Sequence, residues 1–212
     1  MPNLPISQLP TASVLTGAEL FATVQGGVTK QVPLSSVVTS LSTNYGLFNQ
    51  TGSSTPVTNT TSELTLLDGG VGTLEVPANG FKKGDAYKLI MTGHISSKNN
   101  DTLEIRIKAG STLLADTGVI TMPQTTNKDF NLDINFSIFN TGSAGNASIA
   151  SGGKFIYSKD ASNAFEGINF SIINSSSFDT TISNTLAITA QWSAADPLNK
   201  IFSEIVTLNK AF

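Results

Sequence analysis

Between Phe130 and Ile138 every second residue is apolar (Phe130, Leu132, Ile134, Phe136, Ile138), and the residues between them are Asn131, Asp133, Asn135 and Ser137. A period of two sends the two sets to opposite faces of an extended chain, so this segment reads as a half-buried β-strand. The same pattern recurs in Leu103, Ile105 and Ile107, set against Thr102, Glu104, Arg106 and Lys108, and in Leu186, Ile188, Ala190 and Trp192, set against Ala187, Thr189 and Gln191. Tyr87, Leu89 and Met91 make a fourth case, although Ile90 leaves the opposite face partly apolar. Further strand candidates are Glu63–Leu67, Gly72–Val76, Leu113–Met122, Ala147–Tyr157, Ile168–Ile173 and Ile201–Leu208. Turn-forming residues separate them, as in Asp68-Gly69-Gly70, Asn79-Gly80, Lys98-Asn99-Asn100-Asp101, Thr141-Gly142-Ser143-Ala144-Gly145 and Asp196-Pro197. The expectation is an all-β, antiparallel, jelly-roll-like β-sandwich over residues 63–212. Clean alternation argues against a buried parallel sheet, and no internal repeat of propeller length is present.

The first 41 residues read differently. Prolines at 2, 5, 10 and 33 and glycines at 17, 26 and 27 break them into short pieces. Glu19–Gln25 and Val28–Val32 are expected to pair as a hairpin, with Gly26-Gly27 as a two-residue turn that tolerates positive φ. After Pro33, the residues Leu34, Val37, Val38 and Leu41 follow helical spacing and predict a short helix. Residues 1–41 thus form a small N-terminal anchor segment, a short hairpin plus a short helix. Residues 42–62, rich in Thr, Ser, Asn and Gly, read as a linker or an extended arm.

Composition matters most for what it excludes. Charged residues make up 13% of the chain, against about 25% in a typical soluble domain, and neutral polar side chains take over the solvation. The absence of Cys removes disulfide frameworks and thiolate metal sites. A formal net charge of -3 with no basic run gives no footprint for nucleic acid. No stretch approaches the roughly 18 apolar residues of a transmembrane helix, so no membrane insertion is expected. Met1-Pro2-Asn3-Leu4-Pro5 lacks the features of a signal peptide, which suggests synthesis in a host cytoplasm.

Catalytic constellations are sparse. His94, the single histidine, lies at a strand end and reads as a surface or satisfied residue. Asp129 and Asp133 share a strand face at about 13 Å, wider than the carboxylate pairs of glycosidases. Asn99-Asn100-Asp101 reads as a hairpin turn, not a calcium loop. No catalytic, cofactor or metal residues are assigned, and the chain is expected not to be an enzyme. Aromatics remain: Tyr45, Phe48, Phe165 and Phe178, in polar or Gly/Ser-rich surroundings, are candidate subunit or host contacts. Trp192 continues an inward-facing row and reads as core or interface, with a sugar-stacking platform as the alternative.

Three segments carry a resemblance: Ile6-Ser7-Gln8-Leu9-Pro10, Leu15-Thr16-Gly17-Ala18-Glu19-Leu20-Phe21, and Val24-Gln25-Gly26-Gly27-Val28-Thr29-Lys30-Gln31-Val32. Together they resemble an N-terminal motif of phage and large-virus virion proteins, notably fibre-like and decoration proteins. In such proteins this module docks to the particle, which implies docking by Ile6, Leu9, Leu15, Leu20, Phe21, Val24, Val28 and Val32. Residues 72–85, 178–186 and 189–192 are similar to a β-sandwich module of virion surface and fibre proteins. That likeness implies a homotrimer.

The resulting expectation is a non-enzymatic virion structural protein on the virion surface, a capsid-attached short head fibre or decoration protein. Its partners would be a capsid or tail protein of the same particle and, for host attachment, a host glycan or receptor. The alternative is a tail-associated receptor- or carbohydrate-binding module. An enzyme such as a glycan lyase would need an opposed carboxylate pair or a Tyr/His/Arg cluster in a groove.

Overall fold

A computed structural model describes residues 18–34, 47–160 and 164–211, and the chain divides into two units, Met1–Thr43 and Asn44–Phe212. In the first unit β1 (Leu20–Gln25) pairs antiparallel with β2 (Val28–Pro33), from Leu20 opposite Pro33 to Gln25 opposite Val28. Gly26 and Gly27 adopt φ of 61° and 75°, the two positive values that a two-residue hairpin turn of this hand requires. Leu34 N donates to Glu19 O at 2.7 Å and closes the open end. The expected helix lies outside the described residues from residue 35 onward.

The second unit is all-β. Its strands are β3 (Leu47–Gln50), β4 (Val57–Thr58), β5 (Leu64–Thr65), β6 (Gly70–Thr73), β7 (Glu75–Val76), β8 (Ala86–Ser97), β9 (Thr102–Ala109), β10 (Thr112–Asp116), β11 (Ile120–Thr121), β12 (Thr125–Asn140), β13 (Ser148–Ser158), β14 (Phe165–Asn174), β15 (Asn184–Trp192) and β16 (Lys200–Lys210). The larger sheet runs β14-β13-β12-β8-β16-β3-β6, with β4 also on β16. The smaller runs β10-β9-β15-β5, with β11 on β9 and β7 on β15. All the pairings are antiparallel. Successive strands β12, β13 and β14 lie side by side as a meander, and β9 and β10 form a hairpin in the smaller sheet.

The alternation read from the sequence is what closes the sandwich. Phe130, Leu132, Ile134, Phe136 and Ile138 on β12 meet Leu103, Ile105 and Ile107 on β9 and Ile188, Ala190 and Trp192 on β15 in one apolar core. Burying one such aliphatic side chain contributes on the order of 1.5–3 kcal/mol, so alternation in four strands outweighs any local preference. Trp192 is buried, and its indole Nε1 donates to Val57 O at 3.1 Å, satisfying the one polar atom it brings inside.

Residues 47–62 correct the linker expectation. They hold β3 and β4, and Phe48, Gln50, Ser54 and Val57 are all buried. Gln50 Nε2 donates to Ser203 Oγ at 2.9 Å and to Gly52 O at 2.7 Å, while its Oε1 accepts from Asp68 N at 3.0 Å. Ser203 Oγ in turn donates to Leu66 O at 2.6 Å. A buried polar group must find partners, and here the partners tie a polar segment into the sheet. Residues 42–46 lie outside the described residues.

Candidate functional site

Two surfaces carry side chains that the fold itself does not use. The first is the β1–β2 hairpin. Leu20, Ala22 and Val24 share one face with Thr29, Gln31 and Pro33, and Phe21, Thr23 and Gln25 share the other with Val28, Lys30 and Val32. Neither face is buried: Leu20 is 60% exposed, Phe21 49%, Val24 70% and Val28 58%. Lys30 Nζ donates to Gln25 Oε1 at 3.1 Å, beside the turn. Of the expected docking residues, Leu20, Phe21, Val24 and Val28 are on the surface and Val32 is half-buried. Ile6, Leu9 and Leu15 lie outside the described residues.

The second is a concavity of about 330 Å³ on the outer face of the larger sheet. Thr92 on β8, Asn131 on β12 and Ile156 on β13 line it in adjacent register positions, with Phe165 of β14 at one side and His94, Asp129 and Glu204 at the other. A neighbouring depression is lined by Asp133, Asn135, Gly152, Gly153, Lys154 and Asn169.

Two backbone features place the histidine cluster. Gly93 sits where a Cβ would come 2.0 Å from Phe202 O and 3.0 Å from the Phe130 ring, so only glycine lets β16 approach β8 here. Immediately beyond, the β8–β16 register shifts between Ser203 and Ile205, a bulge that turns both Glu204 and Ile205 to the surface. Glu204 Oε1 thereby lies 3.4 Å from His94 Nε2, while Asp129 Oδ1, directly across the β8–β12 pair, lies 3.1 Å from Nδ1. The second approach is close without hydrogen-bond alignment, and Nδ1 has no aligned partner. The sequence places His94 at a strand end, but β8 runs on to Ser97 and His94 is paired on both sides within it; both carboxylates are also missed, because cross-strand register is not written in either strand alone. Asp133 faces the same side as Asp129, as expected, but contacts Lys88 at 3.4 Å.

The candidate contact aromatics separate cleanly. Phe165 is 76% exposed. Phe178 and Trp192 are fully buried and Phe48 nearly so, which removes all three from the surface. The polar setting of Phe178 misled for a specific reason: Asn174 Oδ1 accepts from Ser177 N at 3.1 Å and from Phe178 N at 2.9 Å, folding that turn inward. The Phe178 ring then meets Phe81 edge-on at 5.6 Å. Tyr45 lies outside the described residues.

On the smaller sheet, a charged network braces the outer face. Glu63 accepts from Lys108 and Thr189 and pairs with Arg106 Nη1 at 2.9 Å; Arg106 also reaches Gln191 at 2.7 Å and Glu104. Burial alone pushes the Glu63 carboxyl up, but the Lys108 and Thr189 hydrogen bonds and the two cations outweigh it and hold the group below its ordinary range. These are structural partners filling one another's needs. Among the described residues no three acidic, histidine or cysteine side chains are grouped as metal ligands, and no helix is long and apolar enough to cross a membrane.

Comparison of the chain with protein-family models, with curated proteins and with solved structures returns no match.

Proposed function

We propose that this protein is a structural protein of a virion surface, attached through its N-terminal segment, residues 1–41, and presenting the β-sandwich that follows. The observation that carries the reading is the exposed apolar hairpin. A two-stranded hairpin by itself is at best marginally stable in water, and Leu20, Phe21, Val24 and Val28 stand exposed on this one. Docking against a partner protein supplies the missing cover. The likeness of this segment to particle-docking motifs of fibre and decoration proteins points to a capsid or tail protein of the same particle as that partner.

The test is particle loading of a chain beginning at Asn44, compared with the full chain. A cut at Asn44 precedes β3 and so keeps Phe48 and Gln50 in the sheet. The expected result is loss of loading with the sandwich still folded. Loading at the full chain's occupancy refutes attachment through this segment.

A second reading, a receptor- or carbohydrate-binding module, is supported by the concavity beside Phe165, where an exposed ring borders polar side chains of Thr92, Asn131 and Glu204. It predicts glycan binding that Asn131→Ala weakens at least several-fold on a glycan array. No binding to any host glycan refutes it.

A further inference from the structure

The larger sheet ends on one side at β6, four residues long, and on the other at β14, ten residues long; the smaller sheet ends at β10, with five residues, and β5, with two. Long edge strands offer a row of unpaired N–H and C=O groups, and folded proteins blunt them with Lys, Pro, bulges or very short length. β14 has no Lys, Pro or bulge and is ten residues long, and its one charged side chain is Glu166. Its sequence is Phe-Glu-Gly-Ile-Asn-Phe-Ser-Ile-Ile-Asn, and it pairs with β13 in ten consecutive register positions without a shift. Phe165, Ile168 and Ile173 are 76%, 38% and 66% exposed. The nearest strand across the sandwich is β10, whose Leu113 O accepts from Asn174 Nδ2 at 3.2 Å. Among the described residues no strand pairs with the far edge of β14.

We propose that this edge pairs with the same edge of a second copy of the chain, antiparallel about a two-fold axis at Asn169. Residues on one face of β14 must meet residues on the same face of its partner, so the register sum is even. With the axis at Asn169, Phe165 of one copy lies opposite Ile173 of the other, and Gly167 lies opposite Ser171. On the inner face Ile168 lies opposite Phe170 and Glu166 opposite Ile172. The two most exposed apolar side chains of the strand thus cover each other twice, once on each side of the axis. Such an isologous contact closes on itself and leaves neither copy's β14 edge open.

Charge permits the contact. Glu166 is the one charged residue in β14, and it is engaged within its own chain by Tyr157 Oη at 2.7 Å and Lys159 Nζ at 2.9 Å. The Lys159 and Tyr157 hydrogen bonds outweigh burial and hold its carboxyl below the ordinary range. Two copies therefore meet without an unpartnered like-charge pair at the seam. A peptide strand from a different protein would use the same backbone groups, but nothing would match its side chains to Phe165 and Ile173 at this spacing; the self-complementary register favours a second copy. The pairing does not depend on residues 1–43, so it stands or falls separately from the attachment reading.

The experiment uses the full chain. Sedimentation equilibrium at tens of micromolar should give about 44 kDa, twice the 22.2 kDa chain. Ile173→Lys, at a solvent-exposed position, should give about 22 kDa with an unchanged melting temperature. The double variant F165K/I173E sets opposite charges across the same pair and should restore the dimer. Because the chain has no cysteine, Asn169→Cys forms a disulfide only between copies. At the axis the two Cα atoms lie about 4.5–5.5 Å apart, within disulfide reach. Ser171→Cys places them about 13 Å apart, four residues out of register, beyond that reach. Rapid cross-linking of Asn169→Cys but not of Ser171→Cys supports the register. A monomer at these concentrations, a three-chain mass of about 67 kDa, or equal cross-linking of the two cysteine variants overturns it.

Discussion

Strands β1 and β12 both carry large apolar side chains, yet those of β12 lie in a core and those of β1, among the described residues, stand exposed. In β12 the residues Phe130, Leu132, Ile134, Phe136 and Ile138 all point to one face, and a second sheet is there to cover them. In β1 and β2 the apolar residues fall on both faces, Leu20 and Val24 on one, Phe21 and Val28 on the other. Alternation with a common face builds a domain. Exposed apolar residues on two faces of a hairpin gain from cover by a partner, which is the physical basis for proposing residues 1–41 as an attachment segment.

The sharpest way to break this contrast is to truncate one side chain in each region. Trp192→Ala removes a fully buried ring and leaves Val57 O without its donor, and should cost about 3–5 kcal/mol by denaturant unfolding followed by circular dichroism. Phe21→Ala should change the same transition by less than about 0.5 kcal/mol. Equal effects would mean that the hairpin is part of the same cooperative unit.

Gly93→Ala should come next, because a methyl group cannot fit 2.0 Å from Phe202 O without parting β8 from β16. We expect a loss of about 1–3 kcal/mol. Gly26→Ala, in open space at the hairpin turn, should leave the sandwich transition where it is.

Gln50→Ala tests where the boundary between the regions falls. Its amide satisfies Ser203, Gly52 and Asp68 inside the sheet, so its loss should cost about 1–3 kcal/mol. A change within experimental error would return residues 47–50 to the linker reading.

The smallest effect is electrostatic. Glu63 and Glu166 have carboxyls held below their ordinary range, so their contribution is complete above the unfolded value near 4.5 and is lost as pH falls through the folded value. Unfolding stability should therefore be flat from neutral pH down to about 5 and decline below about 4. Glu63→Gln should reduce that acid slope, and a slope unchanged by the substitution would remove Glu63 from the account.

Legibility in the sequence followed physics. The alternation in β8, β9, β12 and β15 identified the inward residues almost one for one, and Gly26-Gly27 identified the hairpin, because each depends on neighbours in the chain. Alternation says which residues face the core, not which strand lies beside which, so the meander β12-β13-β14 and the bulge at Glu204 were beyond reach. Residues 47–58 escaped because Gln50 and Ser54 are buried through hydrogen bonds to Ser203, a partner some 150 positions away. His94 kept its two carboxylates hidden for the same reason. The edge of β14 was visible as a strand, but its being an edge depends on what pairs with β13 on the other side.

Hydrogen exchange on the full chain, free in solution and on the particle to which attachment is proposed, tests the central contrast most directly. The account predicts that backbone amides of β1 and β2 exchange with little protection in the free chain and become protected on the particle, while those of β8, β12 and β16 are strongly protected in both. Hairpin amides as protected as β12 in the free chain, or unchanged by assembly, would contradict it.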